Sequence, residues 1–240
     1  MTEVDVFIPC YIDQLFPETA WNTIKVLERC GCKVFYNTNQ TCCGQPAFNA
    51  GYKDEAIKVA RKFLRDFSAK RYIVVPSGSC VGMIRNSYEE LFDNSSQRTH
   101  FKAIQSKTFE LTEFLVKILK VTDIGAEFHA KITYHDSCTA LRELGLKEEP
   151  RMLLRHVRGL ELVEMNESET CCGFGGTFSI KMEPISSAMA EQKVLNAVST
   201  EAEYVVGTDV SCLMHLDGYA RKQKQPVKFL HIADVLAQGY

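Results

Sequence analysis

The sequence predicts an α/β fold made of two pseudo-repeated halves, each a mainly parallel β-sheet flanked by helices. Three observations carry that expectation. A cysteine ladder occurs twice: Cys10, Cys42-Cys43-Gly44 and Cys80, then Cys138, Cys171-Cys172-Gly173 and Cys212. Gaps of 31 and 36 residues separate its members in the first copy and 32 and 39 in the second. Within each copy, short apolar runs alternate with stretches of helical periodicity, the pattern of parallel strands covered by helices. Each half also closes alike, at residues 109–115 and 230–236.

The elements follow in order. Residues 4–8 form an apolar run ending at Pro9-Cys10, and residues 17–30 have helical spacing through Ala20, Ile24 and Leu27, with Pro17 suited to the first turn. Residues 33–36 read as a strand, and the polar loop after it delivers Cys42-Cys43-Gly44. Residues 53–67 place Ala56, Val59, Ala60, Phe63 and Phe67 on one helical face. Residues 72–75 are a third strand, followed by Cys80 and a helix over 81–91. The polar stretch 93–107 has no counterpart in the second half and reads as a loop. The repeat predicts strands at 131–135, 160–163 and 204–206 and helices at 150–157 and 185–198, with domains at residues 1–122 and 123–240. In open parallel sheets, sites form where strand carboxyl ends open into loops. The spacing therefore predicts two separate sites, one per half.

Composition narrows the function. Hydrophobic residues make up 45% and charged residues 24%, with net charge −2 and no long charged block. That balance argues against nucleic acid or an anionic membrane as main partner. The N-terminus lacks a basic leader, and no run approaches the roughly 18 apolar residues of a membrane span. A reducing cytoplasm is the expected setting, where ten cysteines serve metal or redox chemistry better than disulfides.

Adjacent cysteines are strained as a disulfide, but in a turn both thiols can reach one inorganic object, with glycine relaxing the backbone behind them. A polynuclear cluster suits that geometry and needs bare N–H groups aimed at its sulfurs. Gly173-Phe174-Gly175-Gly176 and Ser77-Gly78-Ser79 offer them. Structural zinc is the competing reading, although the paired Cys-x-x-Cys of common zinc sites is absent. Cys30 and Cys32 lie outside the ladder and read as small apolar residues. Met83 and His215 each follow a ladder cysteine by three positions. Met83 reads as core, and His215 as a further candidate ligand or hydrogen-bond donor. His135 is either a donor to a cluster or a structural histidine. Arg142 reads as a solvated helix residue, with a substrate carboxylate as the alternative contact, and Glu113 and Asp234 as helix-start acids. No nucleotide fingerprint, Walker loop or nucleophile elbow is present.

The double ladder, with Tyr-His-Asp-Ser-Cys at 134–138 and Cys-Cys-Gly-Phe-Gly-Gly-Thr-Phe at 171–178, resembles the cysteine-rich CCG-domain iron–sulfur family. Its members include the B subunit of heterodisulfide reductase and the iron–sulfur subunits of glycolate oxidase and anaerobic glycerol-3-phosphate dehydrogenase. The resemblance spans nearly the whole chain, and the short two-domain form is that of the lactate-utilisation branch. It implies one centre on Cys10, Cys42, Cys43 and Cys80, another on Cys138, Cys171, Cys172 and Cys212, and a ferredoxin-like iron–sulfur partner subunit. Heterodisulfide reductases end each ladder in Cys-x-x-Cys, whereas this chain has Met83 and His215 there. Four-iron clusters, or zinc at one or both sites, therefore stand beside the family's noncubane form. The activity this implies is L-lactate oxidation to pyruvate within a multi-subunit complex acting on a small 2-hydroxy acid. Disulfide reduction at a cluster and a zinc-stabilised scaffold are the alternatives.

Overall fold

The computed structural model describes residues 1–239. Among the described residues, eight strands form two four-stranded, wholly parallel sheets. The first contains β1 (Thr2–Val6), β2 (Cys32–Tyr36), β3 (Tyr72–Val75) and β4 (Thr108–Glu110), in the order β2-β1-β3-β4. The second contains β5 (Glu127–Tyr134), β6 (Arg158–Leu162), β7 (Tyr204–Gly207) and β8 (Lys228–His231), in the order β6-β5-β7-β8. The α/β class and the repeated sheets expected from the sequence are present.

The registers repeat as well. Val6 lies opposite Val74 between β1 and β3, and Tyr134 opposite Val206 between β5 and β7. One residue on, the Phe7 N–H donates to the Val74 carbonyl (3.0 Å) and the His135 N–H to the Val206 carbonyl (2.8 Å). Phe7 and His135 are thus structural counterparts.

Successive strand residues point to opposite faces, and the core divides accordingly. Val74 and Val206 join one central cluster that draws on both sheets. Ile73 and Val75 face a second cluster in the first half, and Val205 a third in the second half. The closing segments knit the halves together. Helix Ile232–Leu236 packs on helix Pro17–Arg29, where Asp234 accepts from Thr19 Oγ1 and Asn22 Nδ2, each at 2.9 Å. Reciprocally, helix Leu111–Glu113 packs on helix Glu148–Leu154, and Lys117 just beyond it pairs with Glu149 at 2.9 Å. Each half ends against the other.

Several elements differ from expectation. β1 lies earlier than residues 4–8, because Thr2 already pairs with Cys32 while the Ile8 N–H leaves the ladder for Gln40 Oε1 (2.7 Å). Residues 93–107 are not a loop but carry helix Ser95–Gln105. Asn94 caps it by accepting from the Gln97 N–H (2.7 Å), and Phe101 and Ile104 are buried on its one apolar face. The helix expected over 81–91 starts at Gly78 and changes to a π-turn (Met83–Ser87) and a 3₁₀ turn (Tyr88–Leu91). Among the described residues, no helix is long and apolar enough to cross a membrane.

Candidate metal centre

Both halves deliver their thiols at the carboxyl ends of parallel strands. Cys10 opens helix Cys10–Leu15 after β1, and Cys138 opens helix Cys138–Arg142 after β5. Cys80 lies in the first turn of helix Gly78–Gly82, where its N–H donates to the capping Ser77 Oγ (3.3 Å). Cys212 occupies the matching turn of helix Val210–Lys222, with its N–H on the Asp209 carbonyl (3.1 Å). Helix starts surround these sulfurs with amide N–H dipoles, which favour thiolate.

The Cys-Cys-Gly runs fill the loops after β2 and β6. Gly44 has φ 84° and Gly173 φ 90°, the left-handed region that glycine enters without steric cost. Space demands glycine too: a Cβ on Gly173 would lie 2.7 Å from the Ser186 carbonyl oxygen. The resulting turns aim amides at sulfur. The Gly44 N–H donates to Cys42 Sγ (3.3 Å), the Gly173 N–H to Cys171 Sγ (3.4 Å) and the Phe174 N–H to Cys172 Sγ (3.5 Å).

The thiols meet one another. Cys10 Sγ donates to Cys42 Sγ at 3.6 Å and Cys43 Sγ to Cys80 Sγ at 3.3 Å. Among the described residues all ten cysteines are free. Cys42 falls to about 3 through hydrogen bonds from Cys10 and Cys43, and Cys171 to about 2 through those from Cys138 and Cys172. The same contacts, with burial, push Cys10, Cys138, Cys43 and Cys172 up.

All eight ladder cysteines line a single cleft of about 170 Å³. The spacing suggested two separate sites; instead the two quartets face each other, because the carboxyl ends of both sheets meet at the junction of the halves. Asp209 clasps that junction. Its carboxylate accepts from Ser77 Oγ (2.7 Å), the Ser79 N–H (3.0 Å) and Ser137 Oγ. Ser77 and Asp209 are themselves counterparts, each the cap of a cysteine-bearing helix. A Cβ on Gly78 would lie 2.6 Å from that of Ala140, so the Cys80 and Cys138 helices touch through a glycine. Tyr11 and Phe174 stack edge-on across the cleft, with ring centroids 5.9 Å apart.

The donor set fits a thiophilic metal or an iron–sulfur centre, because it combines clustered sulfurs, helix-start amides and N–H groups already turned toward sulfur. A buried orphan strengthens the fit. His135 is 1% exposed, and neither ring nitrogen has a hydrogen-bond partner among the described residues. A ring nitrogen of His135 and the sulfurs of Cys172 and Cys212 lie within 4.8 Å of one another.

The remaining candidates sort by contact. His215 is not in that group; its Nε2 meets Ser186 Oγ (3.2 Å), which in turn donates to the Gly173 carbonyl (2.8 Å), so it braces the loop from behind. Met83 is buried in the first-half core, as its reading required. Cys32 is buried and Cys30 half-buried against the central core. Arg142 reaches the Glu169 carbonyl (3.4 Å) at the surface. Glu113 pairs with Arg85 at 2.8 Å. Sequence reasoning missed Asp209, Tyr88 and Lys193. Tyr88 OH donates to the Cys43 carbonyl (2.9 Å), and the Lys193 ammonium to the Glu167 (2.6 Å) and Ser168 (3.0 Å) carbonyls. Asp209 alone had a legible signal, since it stands three residues before Cys212 as Ser77 does before Cys80.

Two parallel sheets with a thiol quartet at the carboxyl ends of each define a duplicated cysteine-rich protein. The chain belongs to the cysteine-rich CCG domain family, whose pattern matches residues 4–85 and 132–217. It is 44% identical over 235 residues to "Lactate utilization protein A" of Geobacillus kaustophilus, covering 98% of each chain. It is 46% identical over 242 residues to the protein of that name from Exiguobacterium sp., covering 100% of this chain and 98% of the relative. A hypothetical protein from Helicobacter pylori shares the fold, with TM-score 0.69 and 12% identity, over 100% of this chain and 49% of that one.

Proposed function

We propose that this protein is an iron–sulfur oxidoreductase subunit of a system that oxidises L-lactate to pyruvate. Cys10, Cys42, Cys43 and Cys80 would hold one centre, and Cys138, Cys171, Cys172 and Cys212 the other. The observation that carries this reading is the convergence of both thiol quartets in one cleft. The relatives named for lactate utilization supply the substrate class.

Iron–sulfur centres supply one-electron acceptors and donors. The chain's own residues do the rest. The N–H groups of Gly44, Gly173 and Phe174 already donate to cysteine sulfurs and would offset negative charge gathered there. Tyr11 and Phe174 wall the cleft with aromatic surface that restricts water. Lactate loses two electrons and two protons on becoming pyruvate. The electrons pass to a ferredoxin-like iron–sulfur partner subunit, one at a time, and other subunits of the complex supply the base. Such a subunit works in the cytoplasm.

A zinc-stabilised scaffold is the second reading, favoured by the His135, Cys172 and Cys212 group, whose chemistry suits zinc. Anaerobic purification followed by iron, sulfide and zinc analysis and a visible spectrum separates the two. Brown protein with iron and sulfide in comparable amounts is expected; colourless protein holding only zinc refutes the relay. Loss of growth on lactate after gene deletion supports the substrate class, and unimpaired growth favours a disulfide or related substrate.

A further inference from the structure

The two quartets have different surroundings. In the first half, Phe7 stands one residue beyond β1, and its ring packs edge-on against Phe63 (5.1 Å between centroids) and Phe67 (5.6 Å). Its counterpart is His135, by the matching N–H bonds to Val74 and Val206. The helices behind the two Cys-Cys-Gly loops correspond through the backbone carbonyls that face Gly44 and Gly173, those of Ala56 (3.6 Å from a Cβ built on the glycine) and Ser186 (2.7 Å). Two turns further along each helix stand Phe63 and Lys193. The aromatic pair Phe7 and Phe63 is therefore replaced, at both positions, by His135 and Lys193.

All four side chains are buried, at 2% exposure or less. Burying an imidazole without a partner costs free energy that a phenyl ring would not. A buried ammonium costs more, and Lys193 offsets part of it by donating to two carbonyls of the loop that leads to Cys171. Burial holds Lys193 below its usual range, while Asp136 and then the sulfurs of Cys172 and Cys171 oppose that shift. Among the described residues, the matching positions behind the first quartet hold only the apolar Phe7 and Phe63.

The geometry points to His135 and Lys193 as positioning residues that make the second centre more readily reduced than the first. The inference rests on the iron–sulfur reading above. A ring nitrogen of His135 lies within 4.8 Å of the sulfurs of Cys172 and Cys212, where its N–H would meet the charge of a bound centre, and Lys193 sets its ammonium against the loop that leads to Cys171. Both stabilise the extra negative charge of a reduced centre, as hydrogen bonds and local charge do at sulfur-ligated iron. Electrons entering the cleft then collect on the second quartet, and the pair works in one direction.

The test is a potentiometric titration followed by electron paramagnetic resonance, on anaerobically purified protein with His135→Phe, Lys193→Met and the double change. His135→Phe installs the first half's own residue and keeps the site filled. The wild type should show two midpoint potentials. Each variant should shift the higher one downward and leave the lower unchanged, with iron content retained. A second measurement needs no variant: in wild-type protein labelled with ¹⁵N-histidine, pulsed resonance should find a weak nitrogen coupling at the higher-potential centre alone. Equal potentials in the wild type, potentials indifferent to residues 135 and 193, or a strong coupling that marks direct nitrogen ligation each overturn the inference while leaving the iron–sulfur reading intact. Protein without iron overturns both.

Discussion

Single residues decide whether the thiols can gather. Gly173→Ala places a side chain 2.7 Å from a carbonyl oxygen at φ 90°. We expect a loss of about 1–3 kcal/mol from backbone strain, read by urea unfolding of the metal-free protein, with reduced iron at the second quartet. Gly44→Ala shares the strain but meets the Val59 side chain at 3.3 Å and the Ala56 carbonyl oxygen no nearer than 3.6 Å, and should cost less. Glu110 gives a second prediction. It is fully buried and accepts from the Thr112 (2.7 Å) and Glu113 (3.1 Å) N–H groups, yet burial raises it to about 8. A carboxyl raised on folding binds its proton more tightly in the native chain. Its stabilising contribution is complete below the unfolded value of about 4.3 and is lost as pH rises through about 8. The thiolates of Cys42 and Cys171 slope the other way, since both are depressed. Glu110→Gln should therefore gain stability relative to wild type as pH climbs across that window; parallel unfolding curves from pH 5 to 9 would contradict the assignment.

At the scale of elements, helix Ser95–Gln105 links surface chemistry to the first quartet. Its Phe101 packs against Tyr88 and Phe92, with centroids 6.1 and 5.8 Å apart, and Tyr88 holds the Cys43 carbonyl. Asn94→Ala should cost about 1 kcal/mol by removing the cap, and Phe101→Ala about 3–5 kcal/mol by opening a cavity, both measured by chemical denaturation. Only the second should loosen iron at the first quartet. This helix also marks the limit of sequence reading. Its polar composition hid one buried stripe, Phe101 and Ile104, too short for periodicity to reveal and absent from the repeat. The strands were legible because buried parallel strands are continuous apolar runs, as at residues 72–75. The short helices at Cys10 and Cys138 were not, since a single turn sets no period.

For the whole molecule, the ladder spacing pointed to eight thiols at strand ends but not to one cleft lined by all of them. That depends on the packing of the halves, which Asp209 fixes through donors from segments far apart in sequence. Asp209→Ala strands buried donors and should destabilise the protein by about 2–4 kcal/mol, since bonds to charged groups are the stronger kind. The loss should appear as a lower unfolding midpoint and a decline of metal at both quartets together. Cys43→Ala, by contrast, should deplete iron from the first quartet only.

The exchange of closing helices has a consequence for how the chain can be divided. Severed near residue 122, either fragment would expose the apolar wall that its sibling now covers, and so precipitate when made alone. Produced side by side, the two pieces should find each other and restore a soluble particle, much as a zip closes only when both rows of teeth are present.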